Sequence, residues 1–405
     1  MDFQFTPSDQ ALRDEAEAFV RREWEPGHWD VVGSMAPLPN WHHADEELDE
    51  HLKAYRKKIV ARGWYTMHWP EEHGGKAIGI TTQLAYREAM AYAGSPSDLG
   101  GGLVAPVLMV EGAEWMRKEF LPKIANADIE FSQGFSEPDA GSDLAGLKTR
   151  AERDGDDYII NGQKIWGTYR NDWIHILVRT DPDAPKHRGI TYLLMPLKDE
   201  SGDYIPGVTV RGINSAVGRH RWDELFMENV RVPSRYIIGE ENRGWYAAMT
   251  TLSFERSGIQ RPARLTKLLE DYIEFNRTNA RRHGPSAGPL GSMTFKNRLA
   301  ELRIQVETLR MLAYRVAWMQ SQGMVPQRES SMTKFLGDET AKAVYHTLYS
   351  ALGEYGNLLP GNDIPLPEGG YLNAQAFMVG TMSVAGGTTE IQKGIIAQRG
   401  LGLPR

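Results

Sequence analysis

The side chains best suited to holding a small molecule lie between residues 131 and 168. A turn-rich segment there mixes glycines with hydroxyl residues: Gly134, Ser136, Gly141 and Ser142. Glycine lets the backbone approach a ligand closely, and a hydroxyl both donates and accepts hydrogen bonds. The stretch ends in Trp166 and Thr168, which add a flat aromatic face and another hydroxyl. This pattern predicts a cradle for a flat aromatic cofactor with polar edges.

Each of these residues also has an ordinary structural interpretation when it is taken alone. A serine in a turn more often caps nearby backbone than it binds a ligand. A tryptophan in a strand usually belongs to the core. Only the occurrence of all of them in one segment favours the cofactor cradle.

The composition excludes several classes of function. The chain has 405 residues, which is enough for two or three packed units. Its formal net charge of −7 argues against a general role in binding nucleic acid. There is no cysteine, so disulfides, cysteine-ligated zinc or iron–sulfur clusters and thiol chemistry are all excluded.

The sequence indicates a cytoplasmic protein that does not span a membrane. The N-terminus lacks a basic region followed by an apolar run, the mark of a signal peptide. No apolar run reaches the ~18–20 residues that a membrane span needs. A chain without disulfides also suits the cytosol.

Three other motifs predict no site. His42 and His43 precede an acidic run, but no third ligand stands at a metal-binding spacing, so we expect no metal site. Residues 134–138 are not a nucleophile elbow, because Pro138 occupies the place of the final glycine. The glycine-rich stretch at 284–291 lacks the lysine of a phosphate-binding loop.

The spacing of apolar residues predicts an α+β chain of three domains. Residues 1–127 have mostly helical periodicity, and a helix is expected to begin at Thr6 and Pro7. Residues 128–238 change to strand periodicity and predict an antiparallel β-barrel or sandwich. Residues 239–405 return to long helices and predict a four-helix bundle.

Two tight turns and two breaks in helices are expected within this scheme. The turns are hairpins at residues 154–156 and at Asn161-Gly162. Pro262 is expected to kink or interrupt the first bundle helix. The last helix is expected to break at residues 386–389 and to resume through Ile395.

Five motifs, in this order, resemble those of the acyl-CoA dehydrogenases. They occupy residues 63–75, 136–143, 158–166, 226–233 and 385–392. The resemblance covers nearly the whole chain. It implies the fold of that family, with an N-terminal helical domain, a middle β-domain and a C-terminal four-helix bundle.

The resemblance implies an FAD cofactor. From the β-domain it implies contacts by Gln133, Phe135, Ser136, Gly141, Ser142, Trp166 and Thr168. From the bundle it implies contacts by Arg281, Thr388 and Glu390, partly across a dimer interface. Hydrogen bonds to the pyrimidine edge of the flavin would stabilise its anionic reduced form.

The resemblance also directs attention to the catalytic base. Many members of the family place a carboxylate where this chain has Gly386, directly before Gly387 and the threonine that follows. A minority, including the isovaleryl-type enzymes, place it on the first bundle helix before an arginine, where this chain has Glu255 and Arg256. The resemblance therefore implies that Glu255 is the base, with Arg256 supporting the CoA or the charge balance. In an arbitrary helix, Glu255 would be a solvated surface charge.

The implied reaction is the α,β-dehydrogenation of an acyl-CoA to the trans-2-enoyl-CoA. Glu255 would take the α-proton, the β-hydride would go to flavin N5, and Gly386 and Gly387 would contact the thioester. Two alternatives remain open: a non-catalytic or half-site subunit of a heteromeric dehydrogenase, and a flavin oxidase or monooxygenase on the same scaffold. Electron-transfer flavoprotein is the expected electron acceptor.

Departures from the family pattern bear on assembly and substrate. The phenylalanine-glycine element that usually follows Arg281 is missing, and the usual Gln-x-x-Gly-Gly segment is altered at residues 350–354. Both elements normally hold the adenine end of FAD, so a heterotetramer is possible beside a homodimer or homotetramer. Small residues at 95–97 and 100–102 suggest a branched, bulky or steroid acyl group in lipid catabolism.

Overall fold

The structure is a computed structural model that describes residues 4–24, 46–96, 103–217, 220–254, 258–283, 288–358, 366–367 and 371–404. Its α-helices are α1 Pro7–Glu23, α2 Glu46–Ala61, α3 Ile80–Tyr92, α4 Val104–Glu111, α5 Glu114–Ala125, α6 Gly244–Phe254, α7 Gln260–His283, α8 Met293–Ser321, α9 Gln327–Ser350, α10 Tyr371–Met378 and α11 Thr389–Ile395. Its strands are β1 Phe131–Gly134, β2 Arg150–Asp154, β3 Asp157–Gly167, β4 Trp173–Arg179, β5 Ile190–Pro196, β6 Val208–Asn214 and β7 His220–Pro233.

The strands form one curled sheet inside a compact unit made of Arg56–Ala77 and Leu99–Glu255. The strand order is β1-β4-β2-β3-β7-β6, and β5 pairs with β4. The β2–β3, β3–β7, β4–β5 and β6–β7 pairs are antiparallel, as predicted. Two further pairs depart from this antiparallel pattern: β1 runs parallel to β4, and β2 meets β4 in parallel. Because β1 and β4 run in the same direction, the chain between them must cross back to the end of the sheet where β1 began.

The hairpin at residues 154–156 is confirmed, because β2 and β3 pair up to Asp154 opposite Asp157. The hairpin at Asn161-Gly162 is wrong. β3 continues through both residues, and its pairing with β7 shifts between Ile160 and Gly162 as a bulge. Glycine is needed there because a Cβ at Gly162 would lie 2.6 Å from Thr149 Oγ1 and 2.7 Å from Thr149 Cα.

Two apolar clusters lie in this unit. One cluster joins α4, α5 and α6 to residues of β4 and β5. The other consists of strand residues, including Tyr158, Ile176 and Leu225. α6 begins directly against β5, since a Cβ at Gly244 would lie 2.2 Å from the backbone nitrogen of Tyr192.

The second compact unit consists of Met1–Tyr55, Ile78–Asp98 and Arg256–Arg405. Here α7, α8, α9 and α10 share an apolar core that includes Leu269, Val306 and Val344. α1 packs against α3. α1 begins as predicted, with Pro7 in its first turn and Thr6 as its cap, whose hydroxyl accepts a hydrogen bond from the Asp9 N–H at 3.1 Å.

The predicted interruptions of the helices are confirmed. Pro262 lies in the first turn of α7, where the absent N–H costs no helical hydrogen bond. The last helix is divided between α10 and α11, with Gly386 and Gly387 between them. The domain boundaries at 127 and 238 stay predictions. None of the described helices is long and apolar enough to cross a membrane.

Candidate functional site

The loop after β1 is built on a buried aromatic ring. Phe135 is 6% exposed, and its ring makes edge contacts with His175 and Tyr192 at centroid distances of 5.7 and 5.6 Å. The next residue, Ser136, accepts a hydrogen bond at its carbonyl oxygen from the Ile165 N–H at 3.0 Å. Phe135 therefore anchors the loop in the core, and the Ser136–Ile165 bond joins it to β3.

A buried ion pair lies directly behind this loop. Lys164 is fully buried and donates to Glu137 Oε1 at 2.8 Å and to the Phe135 carbonyl at 3.2 Å. The Glu137 carboxylate also accepts from the N–H groups of Lys148 and Thr149, at 2.6 and 2.9 Å. Every charged group here has several partners, as burial requires.

Burial and pairing act against each other in the pKa values of this pair. Burial lowers the pKa of Lys164 to about 8, although the Glu137 carboxylate favours its charged form. Burial alone would raise the pKa of Glu137, but Lys164 and the hydrogen bonds from residues 148 and 149 hold it below its usual value. Both groups are therefore charged at neutral pH.

The sequence analysis missed this pair. One signal was available: Tyr158, Ile160 and Lys164 fall on alternate positions of one strand, and all three are buried. A lysine on the apolar face of a strand needs a buried anionic partner. Nothing in the local sequence identifies that partner as Glu137.

Trp166 is exposed at the end of β3. Its side chain is 56% exposed, and its φ of +69° lies in the left-handed region that bulky residues rarely adopt. The pairing with β7 shifts between Ile165 and Gly167, so Trp166 occupies a bulge. Its ring meets Trp222 edge-on at 5.9 Å. Such strained residues are concentrated at functional sites.

The turn after Trp166 is held by a charged group. Thr168 is exposed, and its carbonyl accepts a hydrogen bond from the Ser132 hydroxyl. The Tyr169 N–H donates to Asp223 Oδ2 at 2.9 Å. Asp223 is 1% exposed and also contacts the imidazole of His220 at 2.5 Å. The carbonyl and the N–H of the peptide group between Thr168 and Tyr169 are thus both hydrogen-bonded to residues of the sheet.

Three more predicted cradle residues remain: Gly141 and Ser142, which lie at an open surface, and Gln133, whose side-chain amide has no hydrogen-bond acceptor among the described residues. Gly141 and Ser142 are exposed, and a Cβ at Gly141 would meet no described atom within 4 Å. Gln133 Nε2 is buried and has no hydrogen-bond partner among the described residues. A buried amide of this kind calls for an acceptor that the described chain does not supply. An aromatic cofactor with polar edges fits both features.

The second compact unit carries the other predicted contacts. Gly386 and Gly387 have φ values of +67° and +91°, and their carbonyls accept hydrogen bonds from Gln392 Nε2 at 3.2 and 3.3 Å. Thr388 caps α11, since its hydroxyl accepts from the Ile391 N–H at 3.3 Å. Glu390 is exposed in the first turn, where hydrogen bonds from the backbone and from threonine hydroxyls lower its pKa.

The structure does not describe the residues that the sequence predicts to be catalytic. Glu255 and Arg256 are outside the described residues, and so is the side chain of Arg281, although α7 includes its backbone. Residues 97–102 and His42 and His43 are also outside them. Ser95 is described: it is buried, and its hydroxyl meets the Tyr55 hydroxyl at 2.9 Å. Its side chain therefore does not line an open acyl pocket.

Gly258 and Gly386 both approach one turn of α9. A Cβ at Gly258, three residues after Glu255, would lie 3.1 Å from Thr333 Cγ2. A Cβ at Gly386 would lie 3.7 Å from Lys334 Cε. Thr333 and Lys334 are neighbours in sequence, so both segments lie on the same stretch of helix.

That turn of α9 carries buried charge. Asp338 is fully buried and accepts hydrogen bonds from Arg261 Nη1 at 2.5 Å and from Lys334 Nζ. Two cations therefore share one buried carboxylate, and one of them, Lys334, also lies near Gly386. Within the described ranges, no group of three His, Asp or Glu side chains could hold a metal ion.

Comparison with protein families gives three consecutive matches. The acyl-CoA dehydrogenase N-terminal domain matches residues 6–128, the middle domain residues 132–230 and the C-terminal domain residues 242–401. Two similar proteins of Mycobacterium tuberculosis are acyl-CoA dehydrogenase IpdE1 and acyl-CoA dehydrogenase FadE26. IpdE1 is 31% identical over 89% of this chain and 90% of its own, and FadE26 is 31% identical over 100% and 99%.

Solved structures show the same likeness. A structure described as the Tcur3481-Tcur3483 steroid ACAD is 29% identical with a TM-score of 0.84, and the match covers 100% of both chains. The ChsE4-ChsE5 complex of Mycobacterium tuberculosis is 29% identical with a TM-score of 0.83, again over 100% of both chains. The three segments predicted from sequence motifs therefore have counterparts in complete structures.

Proposed function

The chain belongs to the acyl-CoA dehydrogenase family of oxidoreductases, and from this premise we propose that it converts an acyl-CoA to the trans-2-enoyl-CoA with FAD as its cofactor. The observation that carries the proposal is Trp166, an exposed indole held at positive φ directly beside the Ser136 loop. Bound FAD would accept the hydride that leaves the β-carbon of the substrate.

We assign the flavin contacts to the β-sheet unit. Phe135 and Ser136 would face the pyrimidine edge, and the unsatisfied Gln133 amide would donate to an acceptor on the ring. Trp166 would cover one face. Thr168 would reach N5 of the flavin. The backbone at Gly141 and Ser142 would bind the pyrophosphate, because the side chains of these two residues are small and leave it accessible. We also assign contacts with the dinucleotide to Arg281, Thr388 and Glu390.

We assign the base to Glu255. A carboxylate that loses water as substrate enters acquires a pKa suited to removing an α-proton. The usual position of the base, Gly386, has no side chain. The position of Gly258, three residues after Glu255, supports this assignment. Gly258 lies next to Thr333 of α9, and Gly386 lies next to the neighbouring residue, Lys334. Arg256 would support the CoA, and the Gly386–Gly387 backbone would bind the thioester oxygen.

The decisive experiment is a Glu255→Gln variant, with Glu240→Gln as its control. Glu240 is an exposed glutamate in the same region that pairs with Arg243. Both purified proteins would be mixed anaerobically with a panel of acyl-CoAs, and the bleaching of the flavin followed. Removing a general base lowers the rate by about 10²–10⁴-fold, so the Glu255→Gln protein should stay yellow. If it keeps FAD and bleaches at the wild-type rate, Glu255 is not the base.

We propose a bulky acyl group, with a steroid side chain as the leading candidate. One similar structure is described as a steroid ACAD, and the match covers 100% of both chains. The absence of a side chain at Gly386 leaves more volume beside the acyl group than a carboxylate would. The panel should therefore contain linear, branched and steroid side-chain thioesters. Faster bleaching by a linear substrate would contradict the assignment.

We further propose that the chain works as an oligomer and passes its electrons to an electron-transfer flavoprotein. α8 presents Ile304, Met311 and Trp318 at seven-residue intervals, exposed by 67%, 38% and 37%. An exposed apolar stripe of this kind marks a protein interface. The partner is either a second copy in a homodimer or homotetramer, or a related subunit.

The second candidate function is that of a half-site subunit in a heteromeric dehydrogenase. It is favoured by the empty base position at Gly386 and by the ChsE4-ChsE5 complex among the similar structures. The visible spectrum of the purified chain distinguishes the two. A yellow chain that bleaches with substrate supports the complete enzyme. A chain that is colourless after incubation with FAD and removal of the unbound cofactor by gel filtration supports the half-site subunit.

A further inference from the structure

Two segments of the proposed flavin cradle, the loop after β1 and the end of β3, meet at the buried Glu137–Lys164 pair, and the chain that enters β2 joins them there. We propose that Glu137 and Lys164 are positioning residues, which fix the Phe135–Ser136 loop relative to Trp166 and thereby set both the affinity for FAD and the orientation of its ring. Neither side chain is assigned a contact with the cofactor. The inference rests on the proposed FAD-dependent function.

The first step is the set of links between the loop and β3. Lys164 Nζ donates to the Phe135 carbonyl at 3.2 Å, and the Ile165 N–H donates to the Ser136 carbonyl at 3.0 Å. Lys164 Nζ also meets Glu137 Oε1 at 2.8 Å. Three consecutive loop residues are thus bound to two consecutive strand residues. The strand residue that follows is Trp166, so its backbone is held in a fixed position relative to the backbone of Ser136.

The second step is the connection to the neighbouring backbone. The Glu137 carboxylate accepts from the N–H groups of Lys148 and Thr149, at 2.6 and 2.9 Å, where the chain enters β2. Thr149 in turn packs against Gly162 of β3. The pair therefore closes a ring that runs from the loop to β2, across to β3, and back to the loop.

The third step concerns energy. A buried ion pair loses the hydration of two charges, and apolar residues of similar volume are often as stable or more stable. Stability alone therefore gives little reason for a fully buried lysine in the middle of a strand. The geometry of its hydrogen bonds gives a better reason for the buried lysine. These bonds fix the orientation of the loop relative to β3, which apolar side chains would not do.

Another nearby cation cannot replace Lys164. Arg179 acts on the pair through its charge and disfavours the charged form of Lys164. Its guanidinium is already bound to the carbonyls of Ala145 and Lys186, at 2.7 and 2.8 Å. If Lys164 is removed, Glu137 keeps its hydrogen bonds with residues 148 and 149, and the loop loses its link to β3 through the lysine side chain.

The test compares FAD binding and apoprotein stability in four variants. Lys164→Met and Glu137→Gln each break the pair, and the Glu137→Met/Lys164→Met double variant replaces it with apolar side chains. Arg231→Met is the control, because it removes exposed pairs with Asp154 and Asp157 on the same sheet. The readouts are the FAD dissociation constant, the visible circular dichroism of the bound flavin, and the unfolding temperature of the apoprotein.

We expect the double variant to recover the unfolding temperature of the wild-type apoprotein. It should still bind FAD about ten- to a hundredfold more weakly, which is the effect of losing one to two well-formed charged hydrogen bonds, and its flavin dichroism should differ from that of the wild type. The control should match the wild type in all three readouts.

Two outcomes would overturn the proposal in different ways. A folded double variant with wild-type affinity and dichroism shows that the pair is only structural, and it leaves the proposed FAD function intact. A wild-type chain that binds no FAD overturns the proposed function and this inference with it. Glu137→Gln keeps the shape of the side chain, so it provides a second folded variant if Lys164→Met does not fold.

Discussion

His175 gives a quantitative prediction, because it is a buried titratable group behind the proposed cradle. It is 2% exposed on β4, its Nδ1 meets the Tyr192 hydroxyl at 2.6 Å, and its ring contacts that of Phe135. Burial lowers its pKa from 6.5 to about 3. The folded protein therefore holds His175 neutral through a pH range in which the unfolded chain takes up a proton.

The sign and size of the effect follow from that difference. Between pH 6.5 and 3 the unfolded state binds more protons, so the free energy of unfolding falls as the pH falls. Each pKa unit is worth about 1.4 kcal/mol. From pH 7 to pH 5 this single group should remove about 2 kcal/mol, and the whole loss, about 5 kcal/mol, is reached only below pH 3.

The assay is a set of urea titrations at pH 7 and pH 5 on the wild type and on His175→Gln. Glutamine keeps a hydrogen-bonding group for Tyr192 but does not titrate. Carboxylates titrate equally in both proteins, so their contribution cancels when the two are compared. The wild type should lose about 2 kcal/mol more than the variant. An equal loss in both proteins would refute the idea that His175 is buried in its neutral form.

Two further predictions concern the bulge and the interface. Gly162→Ala should destabilise the protein by about 1–3 kcal/mol, because the new methyl would approach the Thr149 backbone within 3 Å. The measurement is thermal unfolding, with Gly141→Ala as the control, because a methyl there would meet no described atom within 4 Å. Equal unfolding temperatures for the two variants would contradict the prediction. Ile304→Glu should lower the mass seen by light scattering after size exclusion, since it places a charge on the exposed α8 stripe. An unchanged mass would show that the stripe is not an interface.

Much of the fold could be predicted from the sequence because local signals agree with the tertiary structure. Strand periodicity predicted strands within residues 128–238, where β1 to β7 lie, and the Thr6 cap located the start of α1. Asn161-Gly162 was misread because the same dipeptide suits a hairpin and a bulge. The choice depends on Thr149 and on Asn229, whose backbone N–H binds the Asn161 side chain at 2.9 Å. Those residues are distant in the sequence.

The candidate site could be predicted only in part. The motif identified Trp166 as a candidate contact, and the structure places its exposed indole in a bulge of β3. The Glu137–Lys164 pair could not be anticipated, because charged residues are normally solvent-exposed and this pair forms across 27 positions of sequence. The roles of Glu255, Arg256 and the cofactor contacts stay predictions that the experiments above address.

The exposed indole of Trp166 also makes the site observable by fluorescence. Because the indole is 56% exposed, its emission before FAD is added should be that of a solvent-exposed tryptophan. A flavin ring stacked on it would quench that emission, while tryptophans buried in the core, such as Trp69, would be less affected by direct contact. The difference between the emission of the wild type and that of Trp166→Phe therefore isolates one reporter. That reporter would follow cofactor loading in real time without substrate or turnover.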